Sequence, residues 1–174
     1  MARLALVPPG WEHEEQVMAY RQAFFEAGSD FDGCAGLNKT ETYAEWLDFE
    51  GRLSRKYGAD YVPSRVFLAM RDEQLVGMLD IRTALSEFLL RFGGNIGYSV
   101  LPKERGQGYA GEMLALALEK CRDLGMDKVL VTCDPENIPS AKTIRANGGV
   151  LENEVEDTVG LTKSGVIQRY WITL

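Results

Sequence analysis

Ile96-Gly-Tyr-Ser-Val-Leu-Pro-Lys-Glu-Arg-Gly-Gln-Gly-Tyr-Ala-Gly-Glu-Met-Leu114 is the stretch whose reading decides the fold. It opens as a strand: Ile96, Tyr98 and Val100 alternate with smaller residues, and β-branched and aromatic side chains suit a pleat. Pro102 ends the pairing by removing a backbone donor. An amphipathic helix starts at about Gly108 and runs to Leu124, with Leu114, Ala117, Leu118 and Cys121 on one stripe and Glu112, Glu119, Lys120 and Arg122 turned to water. Gly125 stands where a helix C′ glycine belongs. Lys128-Val-Leu-Val-Thr-Cys133 is the next strand, apolar enough for a buried parallel neighbour. Strand, helix and strand over 96–133 therefore make a right-handed crossover.

The turn between strand and helix, Arg105-Gly106-Gln107-Gly108-Tyr109-Ala110-Gly111, admits more than one reading. Its glycines satisfy the dihedral needs of a tight connection. They also leave backbone N–H groups unshielded where the helix dipole is positive, and that combination binds phosphate oxygens. As Gly106-x-Gly108-x-x-Gly111 the turn matches the dinucleotide fingerprint, with Asp134 at the end of the next strand as ribose partner. Against it, Pro102-Lys103-Glu104-Arg105 separate the strand from the first glycine. Only 40 residues follow Asp134, too few for the further βα units such a domain needs.

Read instead as Arg105-x-x-Gly108-x-Ala110, the turn resembles the pyrophosphate loop of the GNAT acyl-CoA-dependent N-acetyltransferases, whose pattern is Arg/Gln-x-x-Gly-x-Gly/Ala. Downstream, Asn137-x-x-Ser140, Ile144 and Gly148-Gly149 resemble that family's second motif, an Asn-opened helix ending in a glycine turn. The resemblance runs from about residue 63 to the C-terminus, and its downstream half looks closest to a bacterial subgroup of predicted acetyltransferases. It implies an α/β (α+β) fold over a single domain, 1–174. The fold is a mixed central sheet of about seven strands flanked by helices, splayed between strands 96–101 and 128–133.

Composition sets the outer bounds. The chain has 174 residues, enough for one domain with a substantial core. Its net charge of −7 argues against nucleic acid as a partner, since phosphate neutralisation needs a basic surface. Cys34, Cys121 and Cys133 are odd in number and form no CxxC, so neither a disulfide framework nor a metal site is expected. The apolar run Leu4–Val7 is too short for a signal peptide, no window approaches a membrane span, and a cytoplasmic location follows.

The rest of the chain reads more coarsely. Residues 3–7 make an opening strand, stopped by Pro8-Pro9-Gly10. A helix from about Trp11 to Ala27 buries Val17, Tyr20 and Phe24, and Gly28 ends it. His13, the only histidine, sits among Glu12, Glu14 and Glu15 and is expected to be exposed; no histidine mechanism is available. Residues 29–39 are loop. A second helix from about Thr42 to Tyr57 carries Trp46, Phe49 and Leu53 on one stripe, which is either core or, by resemblance, acceptor pocket. Val66–Met70 and Leu75–Ile81 form a hairpin. The segment 82–94 has helical spacing at Leu85, Phe88, Leu89 and Phe92, and predicts a short helical turn. A helix over 138–146 and strands near 150–155 and 166–174 complete the sheet.

The resemblance also implies the chemistry: an acetyl group moves from acetyl-CoA to a primary amine by direct attack, with no metal. Ser99, Val100 and Leu101 would offer backbone groups to the pantetheine amides, and the segment Arg105, Gly106, Gln107, Gly108, Tyr109, Ala110 and Gly111 would hold the pyrophosphate. Asn137 would cap its helix, bond the pantetheine, or both; Ser140 would assist. The tyrosine that such proteins often use as general acid, seven residues after the Asn, is Ile144 here, so Tyr98, Ser140 or water replaces it, or the thiolate leaves unassisted. Asp80 and Glu87 are the candidate bases. The departure at Ile144 keeps a non-catalytic acyl-CoA-binding module open beside the enzyme, and the glycine fingerprint keeps an NAD-dependent oxidoreductase. The acceptor is a small molecule or peptide, and a homodimer paired through the C-terminal strands is the assembly that similar proteins suggest.

Overall fold

The computed structural model describes residues 4–55 and 62–174. Arg3 and the last two residues of the expected second helix, 56–57, lie outside that range. The elements in order are β1 (Ala5–Val7), α1 (Glu14–Ala27), α2 (Tyr43–Leu53), β2 (Ser64–Arg71), β3 (Gln74–Arg82), β4 (Ile96–Val100), α3 (Tyr109–Asp123), β5 (Lys128–Cys133), α4 (Ile138–Ala146), β6 (Val150–Glu156) and β7 (Val166–Thr173). The strands make two antiparallel sheets, β1-β2-β3-β4 and β5-β7-β6. β5 thus takes its ladder from β7, not from β4 as a parallel neighbour.

Strand periodicity sorts the side chains into two cores, one on each face of the sheet. On β2, Val66, Leu68 and Met70 join Val17, Tyr20, Phe24, Tyr43 and Trp46 from α1 and α2. Ala69 faces the other way, with Leu79, Met113, Leu114, Ala117, Leu118, Ile144, Tyr170 and Ile172. Each core excludes water from one side of the sheet, and at about 25 cal/mol per Å² of apolar area this burial is the main stabilising contribution. The α3 stripe is buried as expected, but Glu112 is not simply solvated: its carboxylate accepts the Leu4 N–H at 2.8 Å. Gly77 allows α3 to lie close to β3, because a Cβ there would come within 2.6 Å of the Met113 sulfur.

Other expectations shift by a turn or a face. Trp11–His13 is a 3-10 turn ahead of α1, and His13 is largely buried (side chain 14% exposed), its Nδ1 accepting the Gly10 N–H at 2.9 Å. In the aromatic stripe of α2, Trp46 is fully buried, with Nε1 donating to the Cys34 carbonyl at 2.8 Å, while Phe49 is 39% exposed. Thr42 caps α2 in a reciprocal pair with Glu45. The segment 82–94 does contain a helical turn, continued as a π-turn over Leu89–Gly93.

One residue joins the two sheets. Asn95 is buried; its N–H donates to the Leu130 carbonyl at 2.7 Å, its Oδ1 accepts the Leu130 N–H at 2.8 Å, and its Nδ2 donates to the Arg82 carbonyl at 3.0 Å. Gly94 permits this approach, since its φ is +69° and a Cβ would lie 2.6 Å from the Leu130 carbonyl oxygen. Beyond Asn95, no backbone hydrogen bond links β4 to β5 among the described residues. Tyr98 and Ser140 bridge the opening by their hydroxyls at 2.9 Å. The chain from Asn95 to Tyr98 therefore runs in the same direction as that from Leu130 toward α4, with a gap opening between them.

Candidate active site

The gap is lined on one side by β4. Leu101 donates its N–H to Val76 at 2.8 Å, toward β3. Antiparallel alternation then turns the backbone groups of Val100 and Tyr98 to the open edge and those of Ser99 inward. Of the three residues expected to present backbone groups, Val100 has its N–H on the open edge. Ser99 acts instead as a tie. Its Oγ lies 2.9 Å from the Tyr20 hydroxyl and 3.4 Å from the Cys34 sulfur, joining β4 to α1 and to the 29–39 loop.

At the mouth of the gap lies the glycine turn. Gly106 and Gly108 have φ of +77° and +83°, so both need glycine's freedom, and Gly108 directly precedes α3. A Cβ at Gly106, Gly108 or Gly111 would meet nothing within 4 Å. From Gly106 through Gly111, no N–H donates to a protein acceptor among the described residues. That row of donors at the positive end of a fifteen-residue helix fits a pyrophosphate. Arg105 holds the turn in place: Nε donates to the Val100 carbonyl at 3.1 Å, Nη2 to Ser29 Oγ at 3.1 Å, and the guanidinium lies over the Phe24 ring. Gln107 donates to Glu104, and the buried Tyr109 hydroxyl receives Arg71 from the end of β2. Ala110 and Gly111 form the first turn of the helix.

On the opposite side, Asn137 caps α4, its Oδ1 accepting the Ser140 N–H at 3.2 Å. Its Nδ2 has no protein partner among the described residues, which leaves a donor for a ligand. Burial pushes the Tyr98 phenol up to about 12; the Ser140 hydrogen bond opposes this, and Cys133 and Asp32 add to it. Burial likewise raises the Cys133 thiol to about 11. Ile144 is fully buried in the core and holds no proton. A Cβ at Gly149 would come within 2.4 Å of Ile144 Cγ2, so Ile144 fills the space that a larger residue after Gly148 would need.

The two expected bases fall in different settings. The Asp80 carboxylate is buried, lies 3.0 Å from Arg82 Nε, and accepts the Gly97 N–H at 3.2 Å, so its oxygens are engaged within the protein. Glu87 is exposed in the helical turn of the 82–94 segment. A third carboxylate, overlooked in the sequence, lies on the loop that packs against β4. Gly33 packs so tightly on the strand that a Cβ would lie 2.6 Å from the Gly97 carbonyl oxygen. The residue before it, Asp32, is therefore held beside β4, open to solvent on one side. Crowding by protein raises its carboxyl to about 6, with Asp30 and Asp80 adding to the shift and Arg82 opposing it. Only the Asp-Phe-Asp-Gly run in a loop hinted at it, a pattern that ordinary turns share.

Among the described residues, no group of three His, Cys, Asp or Glu could hold a metal ion, and no helix is long and apolar enough to cross a membrane. Among the described residues every strand pair is antiparallel, which is not the parallel, repeated βα architecture of a dinucleotide domain.

Comparison with known proteins agrees with this geometry. The model of the acetyltransferase (GNAT) domain family matches residues 3–150. No curated protein matches the sequence. Among solved structures, the microcin C7 self-immunity acetyltransferase MccE, in complex with acetyl-CoA and AMP, superposes with a TM-score of 0.72 at 13% identity, over 99% of this chain and 93% of that one. The Salmonella typhimurium acetyltransferase that modifies the N-terminal serine of ribosomal protein L7/L12 gives 0.70 at 19% identity, over 100% and 96%. The dodecameric spermidine N-acetyltransferase of Vibrio cholerae gives 0.69 at 14%, over 98% and 94%. At these identities the likeness is one of fold.

Proposed function

Because the chain belongs to the GNAT acetyltransferase family, we propose that it transfers an acetyl group from acetyl-CoA to a primary amine by direct attack. The observation that carries this reading is the row of unpaired N–H groups from Gly106 to Gly111 at the mouth of the β4–β5 gap. Bound there, acetyl-CoA supplies the activated acetyl thioester. Gly106–Gly111 would hold its pyrophosphate through charge-assisted hydrogen bonds, each worth about 1.5–3 kcal/mol. The Val100 backbone and Asn137 Nδ2 would bind its amides.

Tyr98 and Ser140 stabilise the departing sulfur. A phenol near 12 would protonate a thiolate of ordinary pKa about 8.5 uphill, at a cost of about 5 kcal/mol. Tyr98 therefore acts by donating a hydrogen bond, with Ser140 orienting its hydroxyl, and Ile144 has no part in the chemistry. The acceptors of the Salmonella and Vibrio relatives, a protein N-terminus and a polyamine, share a primary amine, and the proposed acceptor is of that class.

Thermal unfolding with acetyl-CoA, CoA and NAD tests the reading. A ligand at 100 times its dissociation constant stabilises the fold by about 2.7 kcal/mol. In a domain of this size each kcal/mol moves the midpoint by roughly 2–4 °C. Several degrees with acetyl-CoA and none with NAD is the expected result; a shift with NAD alone would return the glycines to the dinucleotide reading.

A further inference from the structure

The gap between β4 and β5 has an acetyl donor's place and a group to receive the sulfur, but its two sequence-predicted bases do not suit the remaining step. Asp80 has its carboxylate engaged by Arg82, Ser64 and the Gly97 N–H, and serves to hold β3 against β4. Glu87 is exposed in the 82–94 segment, with no hydrogen bond to any residue of β4.

We propose that Asp32 is the general base, its carboxylate taking the proton that the acceptor amine sheds as its C–N bond forms beside β4. This rests on the acetyltransferase reading of the same site. Gly33 has a φ of +74° and lies against Gly97 and Tyr98, which no residue with a side chain could do. Trp46, through its bond to the Cys34 carbonyl, and the Cys34 thiol, near Ser99, hold the following residues. Asp32 is thus fixed by neighbours on both β4 and α2, while its own carboxylate accepts no hydrogen bond among the described residues. A carboxylate left unpartnered on a loop packed against β4 is available for a proton that arrives with a ligand.

The charged and titratable groups around it are Asp30 on its own loop, Cys34 two residues on, Asp80 and Arg82 on β3, and Tyr98 on β4. Together with partial loss of water around it, they put the carboxyl at about 6, close to the pH at which a base is both deprotonated and effective. In the transfer, the acceptor attacks as the neutral amine, its ammonium having lost a proton to solvent; the nitrogen lone pair forms the C–N bond, and the N–H that this bond makes acidic gives its proton to Asp32. The C–S bond breaks, and the thiolate leaves within reach of the Tyr98 hydroxyl. Asp32 then returns its proton to solvent.

The test compares wild type, Asp32→Asn and Asp32→Glu in thiol release from acetyl-CoA, with spermidine and a peptide bearing an N-terminal serine as acceptor probes. Asp32→Asn should lower the rate by about a hundredfold or more, leave the acetyl-CoA thermal shift unchanged, and remove an acidic limb near pH 6 from the kcat/KM profile. Asp32→Glu should recover part of the rate. Independently of turnover, carbon-13 NMR of the ligand-free protein should show a carboxyl titrating near 6 that is missing from Asp32→Asn. An Asp32→Asn rate within threefold of wild type overturns the assignment. So does a ligand-free protein without a carboxyl titrating near 6, or thiol release with neither probe while acetyl-CoA still binds. Failure of wild type to bind acetyl-CoA would instead overturn the acetyltransferase reading itself.

Discussion

Gly108 holds a left-handed conformation in open space, so alanine there meets no atom and suffers only the backbone penalty, about 1–2 kcal/mol. Relief of that strain would rotate the N–H groups at the start of α3 out of line. Gly108→Ala is expected to weaken acetyl-CoA binding by tenfold or more in calorimetry, while lowering the unfolding midpoint by only a few degrees; unchanged affinity would remove the phosphate role of the turn. Tyr98→Phe deletes one hydrogen bond to a charged sulfur, worth about 1.5–3 kcal/mol, or roughly 10- to 150-fold in kcat. Acetyl-CoA affinity should be preserved, and a kcat within twofold of wild type would show that the thiolate leaves unassisted. Asp32 carries a stability signature as well. Its folded carboxyl is raised to about 6 from an ordinary value of 3.8, so the folded state binds the proton more tightly than the unfolded. Its contribution is favourable below the unfolded value and is lost as the pH rises through the folded one. Asp32→Asn should therefore be more stable than wild type at pH 7.5, by a margin that shrinks toward pH 4 in denaturant titrations.

At the scale of elements, the opening of the gap depends on Asn95 stopping the β4–β5 ladder after a single residue. Its side-chain carbonyl satisfies the Leu130 N–H, and its amide nitrogen satisfies the Arg82 carbonyl. Asn95→Ala leaves both groups buried without partners, at about 1–3 kcal/mol each. The unfolding midpoint should fall by roughly 2–4 °C per kcal/mol. Equal midpoints for wild type and Asn95→Ala would show that water replaces the amide freely. The 82–94 segment belongs to the same device. Thr132 donates to the Phe92 carbonyl at 2.8 Å, and Arg169 holds the Leu90 carbonyl at 2.7 Å, so the helical turn is fixed to the second sheet just before Gly94.

For the whole molecule, a four-stranded and a three-stranded sheet joined at one residue leave β6 as an outer edge, with Val150 70% exposed. A homodimer paired along β6 would bring the glutamates Glu152, Glu154 and Glu156 of two copies together. Like charges weaken such pairing, and salt screens them. If copies pair through this edge, light scattering should show a dimer that strengthens from low to high salt; a monomer of 19.4 kDa under both conditions excludes that pairing.

Local chemistry alone determined much of this protein. The strand–helix–strand order of 96–133, the α3 stripe, the β2–β3 hairpin and the glycine turn before α3 all follow from hydrophobic period, proline, and glycines that adopt positive φ, because each involves residues adjacent in the chain. Only the tertiary structure decided how those pieces meet. Asn95 resembles any polar residue in a loop until Leu130, far along the chain, presents both backbone groups to it. Asp80 and Asp32 look equivalent in sequence. One becomes a structural ion pair because Arg82 and Gly97 surround it; the other stays unpartnered because Gly33 presses its loop onto β4. A carboxylate's role depends on which charges and donors lie within a few ångströms in space, and that distance is not written along the chain.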